Sequence, residues 1–338
     1  MTGHPTSPAP THTAALAATT TPAALSAWSR IRSILLRFGV VWILLLLAVF
    51  ASVLYPGFFY LQNINNMIAQ VAAVGIVAVG MTFVIIGGGF DLSVAAIYAA
   101  GTVTFASLSN VMPVWTAFAL TLVIAMLAGW VNGFVVTVMK VNPFIATLAT
   151  ASLFSAAAYL YSNSQPVLST AEGFNWLGTA KVGGIWVSTF FLAGVLIIGA
   201  IVLHRTSFGR SVFAVGGNRE AARLVGIRVN WITSSTFAIS AVCAGLGGMI
   251  IASQTGVGQA NIGATVTLDA ITIVIVGGTA LLGGEGAMWR TVVGILVWAT
   301  LKNLFSALAL STFTQLLLQG GILLLAVSLD VLARRGTR

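Results

Sequence analysis

FGVVWILLLLAVFASVLYPGFFYLQNINNMIAQVAAVGIVAVGMTFVIIGGGF, residues 38–90, runs for 53 positions without a charge between Arg37 and Asp91. One membrane crossing takes about 20 apolar residues, so this run holds two. The pattern continues down the chain: 48 uncharged residues separate Asp91 from Lys140, and 40 separate Arg228 from Asp269. Of 338 residues, 58% are hydrophobic and 6% are charged, and the mean hydropathy is +1.03. A soluble domain carries about 25% charged residues, whereas each charge at mid-bilayer costs roughly 2.5–3.5 kcal/mol. Lipid is therefore the expected solvent for most of this surface. There, every backbone N–H and C=O must find its partner within its own segment, which selects helices. The expected fold is all-α, a polytopic transmembrane helical bundle.

Ten spans are expected, near 38–54, 65–86, 92–111, 114–138, 143–162, 186–203, 232–252, 268–283, 289–309 and 313–331. An even number returns the chain to its starting side. Arg30, Arg32 and Arg37 precede the first span and Arg334, Arg335 and Arg338 follow the last, so the positive-inside rule puts both termini in the cytoplasm. Lys140 and the five arginines from Arg205 to Arg228 agree; Lys181 and Lys302 do not. Residues 1–29, rich in Ala, Thr and Pro and containing His4 and His12, read as a disordered cytoplasmic tail without a signal-peptide pattern. Residues 30–338 read as a single transmembrane domain, with Ser162 to Ile185 outside and a long cytoplasmic loop over 204–230. The net charge of +9 comes from basic clusters at the ends and in that loop, with no basic and aromatic stripe for nucleic acid. The lone Cys243 excludes an internal disulfide and a cysteine metal cluster, and reads as a small buried hydrophobe.

Three polar constellations interrupt the apolar background. In Gly87-Gly88-Gly89-Phe90-Asp91-Leu92-Ser93-Val94, three glycines are poor helix formers and permit a sharp turn. Asp91 and Ser93 stand where a new helix begins, placed either to accept its free N–H groups or to line a solute path. Within the long loop, Asn218 suits an N-cap, Glu220 the positive helix start and Gly226 a terminator, predicting a short helix from Arg219 to Val225. Its Ala221, Ala222, Leu224 and Val225 fit docking into a partner, while Arg219 and Arg223 would let it rest on lipid headgroups instead. The third is Leu268-Asp269-Ala270-Ile271 with the glycine-rich Gly277 to Gly286. Asp269 is a helix-start acid or a solute contact, and Lys302 is its possible partner or a residue snorkelling to the outer surface. Asn132, Gln254, Asn261 and Asn303 complete the candidate solute path.

Val84-Ile85-Ile86-Gly87-Gly88 is echoed by Val274-Ile275-Val276-Gly277-Gly278, each followed by an acid, Asp91 and Glu285; this fits either two related halves or chance. Gly129 and Gly133 form a GxxxG pair for close helix approach. The sequence contains no GxxxxGK[ST] phosphate loop, no HExxH and no acid, base and nucleophile set in a soluble region. No catalytic residue, metal site or bound cofactor is expected, and ATP would have to be used by a separate subunit.

These stretches, together with Asn142-Pro143-Phe144-Ile145-Ala146-Thr147-Leu148, Phe208-Gly209-Arg210 and Gly216-Gly217-Asn218, resemble in order the ribose-type ABC importer permeases, from about Asn63 to Asp330. The resemblance implies a subunit of the bacterial inner membrane that translocates a monosaccharide. It implies three partners: a cytoplasmic ABC ATPase, an extracytoplasmic sugar-binding protein, and a second permease in a homodimer or heterodimer. Asn218 to Ile227 matches the family's ATPase-coupling loop. Ala95, Glu285 and Lys302 depart from the family's usual pattern and bear on helix packing and the solute path.

Overall fold

A computed structural model describes Gly3 and residues 39–335, without the side chains of 329–335. Met1–Gly39 and Val40–Arg338 form separate units, and the helical bundle is the second. Apart from Gly3, the expected tail over 1–29 lies outside the described residues, as do Arg30, Arg32, Arg37 and Arg338.

The long apolar runs are helical throughout. In chain order come α1 (Gly39–Leu54), α2 (Leu61–Ile86), α3 (Val94–Ser109), α4 (Val114–Thr137) and α5 (Pro143–Tyr161). After β1 (Val167–Leu168), α6 (Trp176–Thr179), β2 (Lys181–Val182) and β3 (Ile185–Trp186) come α7 (Val187–Arg205), α8 (Ser207–Gly217) and α9 (Arg219–Leu224). The chain ends with α10 (Val229–Thr255), β4 (Val257–Gly258), α11 (Val266–Val276), α12 (Met288–Ala307) and α13 (Thr312–Arg335). The strands make two antiparallel two-residue pairs, β1 with β4 and β2 with β3. The protein is a helical membrane protein.

Among the described residues, α2, α4, α5, α7 and α10 are long and apolar enough to cross a membrane, while α1, α3, α11 and Thr312–Ser328 are apolar but shorter. The sequence reading of one continuous span over 268–283 needs correction. Its helix stops at Val276 after 11 residues, about 16 Å at 1.5 Å per residue against a hydrocarbon core of about 30 Å. Gly277 ends it and Gly278, at φ +90°, turns the chain; the apolar Ala280-Leu281-Leu282 that made the run look continuous lies in the turn region.

α2 and α10 form the centre, each buried along most of its length. α10 packs on α4, α3 and α2, and α2 packs in turn on α12, α7 and α11. The GxxxG pair belongs to this contact. A Cβ on Gly133 would lie 2.6 Å from Ser234 Cα, and one on Gly129 2.7 Å from Ala238 Cα, so these glycines seat α4 directly on the backbone of α10. α4, α5 and α7 turn Leu127, Phe134, Leu153, Ile197 and Ile198 outward with no protein cover, as a lipid-facing surface does.

The two ends of the bundle are distinct. One gathers the turn after α2, the 204–230 loop and the 277–287 turn. The other gathers β1, β4, α6 and the β2–β3 hairpin against the start of α2 and the ends of α3 and α10, through Asn110 Nδ2 to the Leu168 carbonyl (2.9 Å) and Trp186 Nε1 to Asn66 Oδ1 (3.1 Å).

Candidate functional site

At the first end, the short helix of the 204–230 loop forms as its capping residues dictate. Asn218 Oδ1 accepts the Ala221 N–H at 3.0 Å. At the other terminus Gly226 takes φ +84°, and the Gly226 and Ile227 N–H groups return to the Arg223 and Ala222 carbonyls. The helix is Arg219–Leu224 with Val225 as its C-cap, one residue shorter than expected. Two turns are marginal alone, and the tertiary anchor is Ala222, 3% exposed among Val212, Val215, Val229 and Ile232. The expectation that Ala222 faces a partner is thereby corrected: it faces its own chain. Glu220, Ala221, Arg223, Leu224 and Val225 point outward, the last two at 87% and 77% exposure. Glu220 and Arg223 pair at 3.2 Å, exposed, which is worth only about 0.3–0.5 kcal/mol. Arg219 turns inward and donates to Thr233 Oγ1 of α10 at 3.1 Å. Burial, with the positive Arg223 beside it, pushes the Arg219 pKa below its ordinary value; it stays charged at neutral pH.

The loop connects to the bundle through backbone. A Cβ on Gly216, near the C-terminus of α8, would run into the Ile86 carbonyl at the end of α2 and approach Gly284 N to 2.7 Å. Gly284 N–H donates to that same Ile86 carbonyl at 2.8 Å, and a Cβ on Gly283 would meet Gly88 Cα at 2.7 Å. Three glycine segments from α2, α8 and the 277–287 turn thus meet with no side chain between them. The two Gly-Gly ends close in the same way. Gly88 N–H to Ile85 O and Gly89 N–H to Val84 O recur as Gly278 N–H to Ile275 O and Thr279 N–H to Val274 O, the same helix-ending motif. The acids that come after them are not equivalent, since Asp91 is buried and Glu285 exposed.

Asp91, Ser93 and Asn132 come together, all fully buried. Asp91 Oδ1 accepts from Ser93 N (3.0 Å) and Ser93 Oγ (2.6 Å), and Asn132 Nδ2 donates to Ser93 Oγ at 2.7 Å. Asp91 Oδ2, Asn132 Oδ1 and the Ser240 hydroxyl on α10 are buried without a full hydrogen bond. Ser93 makes no cap bond to its own helix. The free N–H groups at the start of α3 go instead to Thr147 of α5, from Leu92 N at 3.0 Å, and Thr267 of α11, from Ala95 N at 3.3 Å. The cluster pins the turn after α2 to α4, α5 and α11.

The remaining candidates are dispersed. Asp269, 5% exposed in the first turn of α11, accepts from Thr265 Oγ1 at 3.3 Å and feels the charge of Lys302 through space without an ion pair. Lys302 Nζ lies 5.5 Å from the Trp298 ring centroid. Asn303 pairs with Asn63 of α2 (2.8 and 3.3 Å). Asn261, exposed, lines a small pocket with Ser155 and Tyr159. Gln254 lines a pocket of about 410 Å³ at the second end, with Asn66, Gln70, Thr179 and Trp186. Sequence reading missed Asn63, Asn66 and Gln70, although their spacing of three and four residues in LQNINNMIAQ marks one polar stripe at the start of α2. Among the described residues no group of three or more His, Cys, Asp or Glu is placed to hold a metal, and Cys243 is free and buried.

Residues 63–327 match the family described as branched-chain amino acid transport system, permease component. The chain is 38% identical to the ribose import permease protein RbsC of Bacillus subtilis, covering 85% of this chain and 90% of that one. It is 34% identical to RbsC of Escherichia coli K12 over 85% and 91% of the two chains, and 34% identical to the L-arabinose transport system permease protein AraH of the same strain over 89% and 92%. No solved structure gives a significant match. A match across most of the chain, joined to full-length relatives of this kind, means that the chain belongs to that family of multi-pass membrane transport permeases.

Proposed function

We propose that this chain is the membrane-spanning subunit of a bacterial inner-membrane ABC importer for a monosaccharide, a pentose such as ribose or arabinose being the nearest chemistry among its relatives. In this reading the chain passes from one side of the membrane to the other ten times, the short α11 together with the segments flanking it making one of the passages, with both termini in the cytoplasm, and it works beside a second permease, as a homodimer or heterodimer. An extracytoplasmic sugar-binding protein delivers the solute to the end carrying α6 and the β2–β3 hairpin. A separate cytoplasmic ABC ATPase binds ATP and engages the 204–230 loop; the chain itself holds no cofactor.

The observation that carries this reading is the pairing of an exposed apolar tip with a backbone joint behind it. Leu224 and Val225 project from a helix whose Asn218 cap comes directly after Gly216 and Gly217, the residues packed on Ile86 and Gly284. An exposed Leu and Val gain most by burial in a partner. A push on them passes through α8 to the ends of α2 and the 277–287 turn, and through Arg219 and Thr233 to α10, so both central helices receive it.

Uptake into proteoliposomes tests the assignment, using this permease, its ATPase and its binding protein loaded with D-ribose or L-arabinose. ATP-dependent accumulation that fails without the ATPase is expected. Accumulation by permease alone on an ion gradient would replace this reading with a secondary transporter, for which Asp91, Asp269 and Lys302 are the candidates.

A further inference from the structure

We propose that the outer-end pocket bounded by Asn66, Gln70, Thr179, Trp186 and Gln254 is a receiving site for a neutral polyhydroxy solute of monosaccharide size. The proposal rests on the importer reading above and adds the place where the solute first leaves its carrier. The pocket's volume, about 410 Å³, falls within the roughly 300–1,000 Å³ of small-molecule sites. Its lining brings together three carboxamides, a hydroxyl and an indole, and no charged residue.

The chemistry of the lining suits hydroxyl groups. Each carboxamide offers two donors and an acceptor, and a sugar hydroxyl both donates and accepts. Gln70 and Gln254 make no side-chain hydrogen bond among the described residues. Asn66 uses only its Oδ1, which accepts from Trp186 Nε1 at 3.1 Å and Gln62 Nε2 at 3.2 Å and leaves the amide N–H groups free. Those two bonds hold Asn66 and Trp186 in place. The Lys181 ammonium is engaged over the Trp186 ring, 4.0 Å from its centroid. The wall behind is anchored where Ser253 Oγ of α10 accepts Gly178 N–H at 2.9 Å and donates to the Phe174 carbonyl at 2.7 Å.

The contrast with a larger cavity decides between sites. The cavity of about 600 Å³ between α3, α4 and α5 is lined by Ile97, Val103, Ile124, Leu127 and Phe154, among others. Entering it would strip hydroxyls of water with few hydrogen bonds in return. At the 410 Å³ pocket, half-open and rich in uncommitted amides, a sugar exchanges water for several weak contacts, which holds it without trapping it.

The test uses the full complex of permease, ATPase and binding protein in proteoliposomes, with Gln70→Ala, Gln254→Ala and the double variant. Uptake of D-ribose and L-arabinose is measured at saturating loaded binding protein. Each lost amide should lower the maximal uptake rate about 2- to 12-fold, the range for one net hydrogen bond, while the binding-protein concentration giving half-maximal uptake stays unchanged. A second measurement avoids any dependence on folding of the alanine variants. In Gln70→Cys the added thiol reports alone, because the native Cys243 is buried, and excess D-ribose should slow its modification by a membrane-impermeant maleimide where betaine at equal osmolarity does not. Wild-type rates in all three alanine variants, a loss that follows binding-protein docking, or no protection at position 70 overturns the pocket assignment and leaves the importer reading standing. A wild-type complex that imports neither sugar on ATP overturns both.

Discussion

Leu224→Asp is the sharpest single perturbation of the proposed docking loop over 204–230, because the structure separates its folding cost from its docking cost. Leu224 is 87% exposed, so nothing in the permease packs on it, and a surface change of this kind usually stays within about 0.5 kcal/mol of neutral. Buried in a partner, a leucine contributes about 1.5–3 kcal/mol, and losing it weakens binding roughly 10- to 150-fold; an unpaired carboxylate in the same place adds further cost. The variant should insert at wild-type level and melt at the wild-type temperature. Its affinity for the ATPase, titrated onto permease in nanodiscs, should fall by at least tenfold, with a matching loss of ATP-driven uptake. Ala222→Glu should behave differently. Ala222 is 3% exposed within its own chain, so a buried glutamate lowers the stability of the permease itself. Wild-type ATPase affinity in Leu224→Asp would refute the docking argument.

Other positions give further expectations. Gly216→Val drives a side chain into the Ile86 carbonyl and Gly284, and overpacking of this kind costs roughly 1–3 kcal/mol or more; a lowered melting temperature in detergent is expected, and an unchanged one would dismiss the backbone joint. Asp91→Leu strands the Ser93 N–H and hydroxyl, at about 1–3 kcal/mol for each unsatisfied group, whereas Asp91→Asn keeps an acceptor for them. The leucine variant should therefore melt lower, and equal melting of the two would remove the cluster's structural role. Asp269→Asn should reduce uptake more than it reduces assembly with the ATPase; full uptake in an assembled complex would make Asp269 a helix-start acid alone.

The class of the fold is legible because charge is nearly absent for long stretches, and the short helix α9 is legible because Asn218 and Gly226 state its ends in local chemistry. Which helices are central is not legible. Beyond the polar stripe that opens α2 and the small Ser and Thr residues of α10, both helices are mostly apolar, as are helices facing lipid, and periodicity separates the two poorly in a membrane. The end of α11 is written in Gly277-Gly278, but the apolar Leu281-Leu282 beyond it masked the stop. Contacts between distant segments were out of reach. The start of α3 is capped by Thr147 and Thr267 from other helices, and Asn63 meets Asn303 across 240 positions. The inward turn of Ala222 comes from how a six-residue helix seats on α8 and α10, which six residues cannot encode as a pattern.

Sidedness is the premise beneath both the coupling loop and the receiving pocket, and cysteine labelling reads it directly. With the native Cys243 buried, single cysteines at Glu172 and Val225, both exposed, report one end of the bundle each. A membrane-impermeant maleimide should label Glu172→Cys in intact cells and leave Val225→Cys untouched. In inverted vesicles Val225→Cys should label, and more slowly once the ATPase is bound. Labelling of Val225→Cys from outside intact cells, with Glu172→Cys protected, would place the loop on the wrong side for any cytoplasmic ATPase and contradict the proposed mechanism at its root.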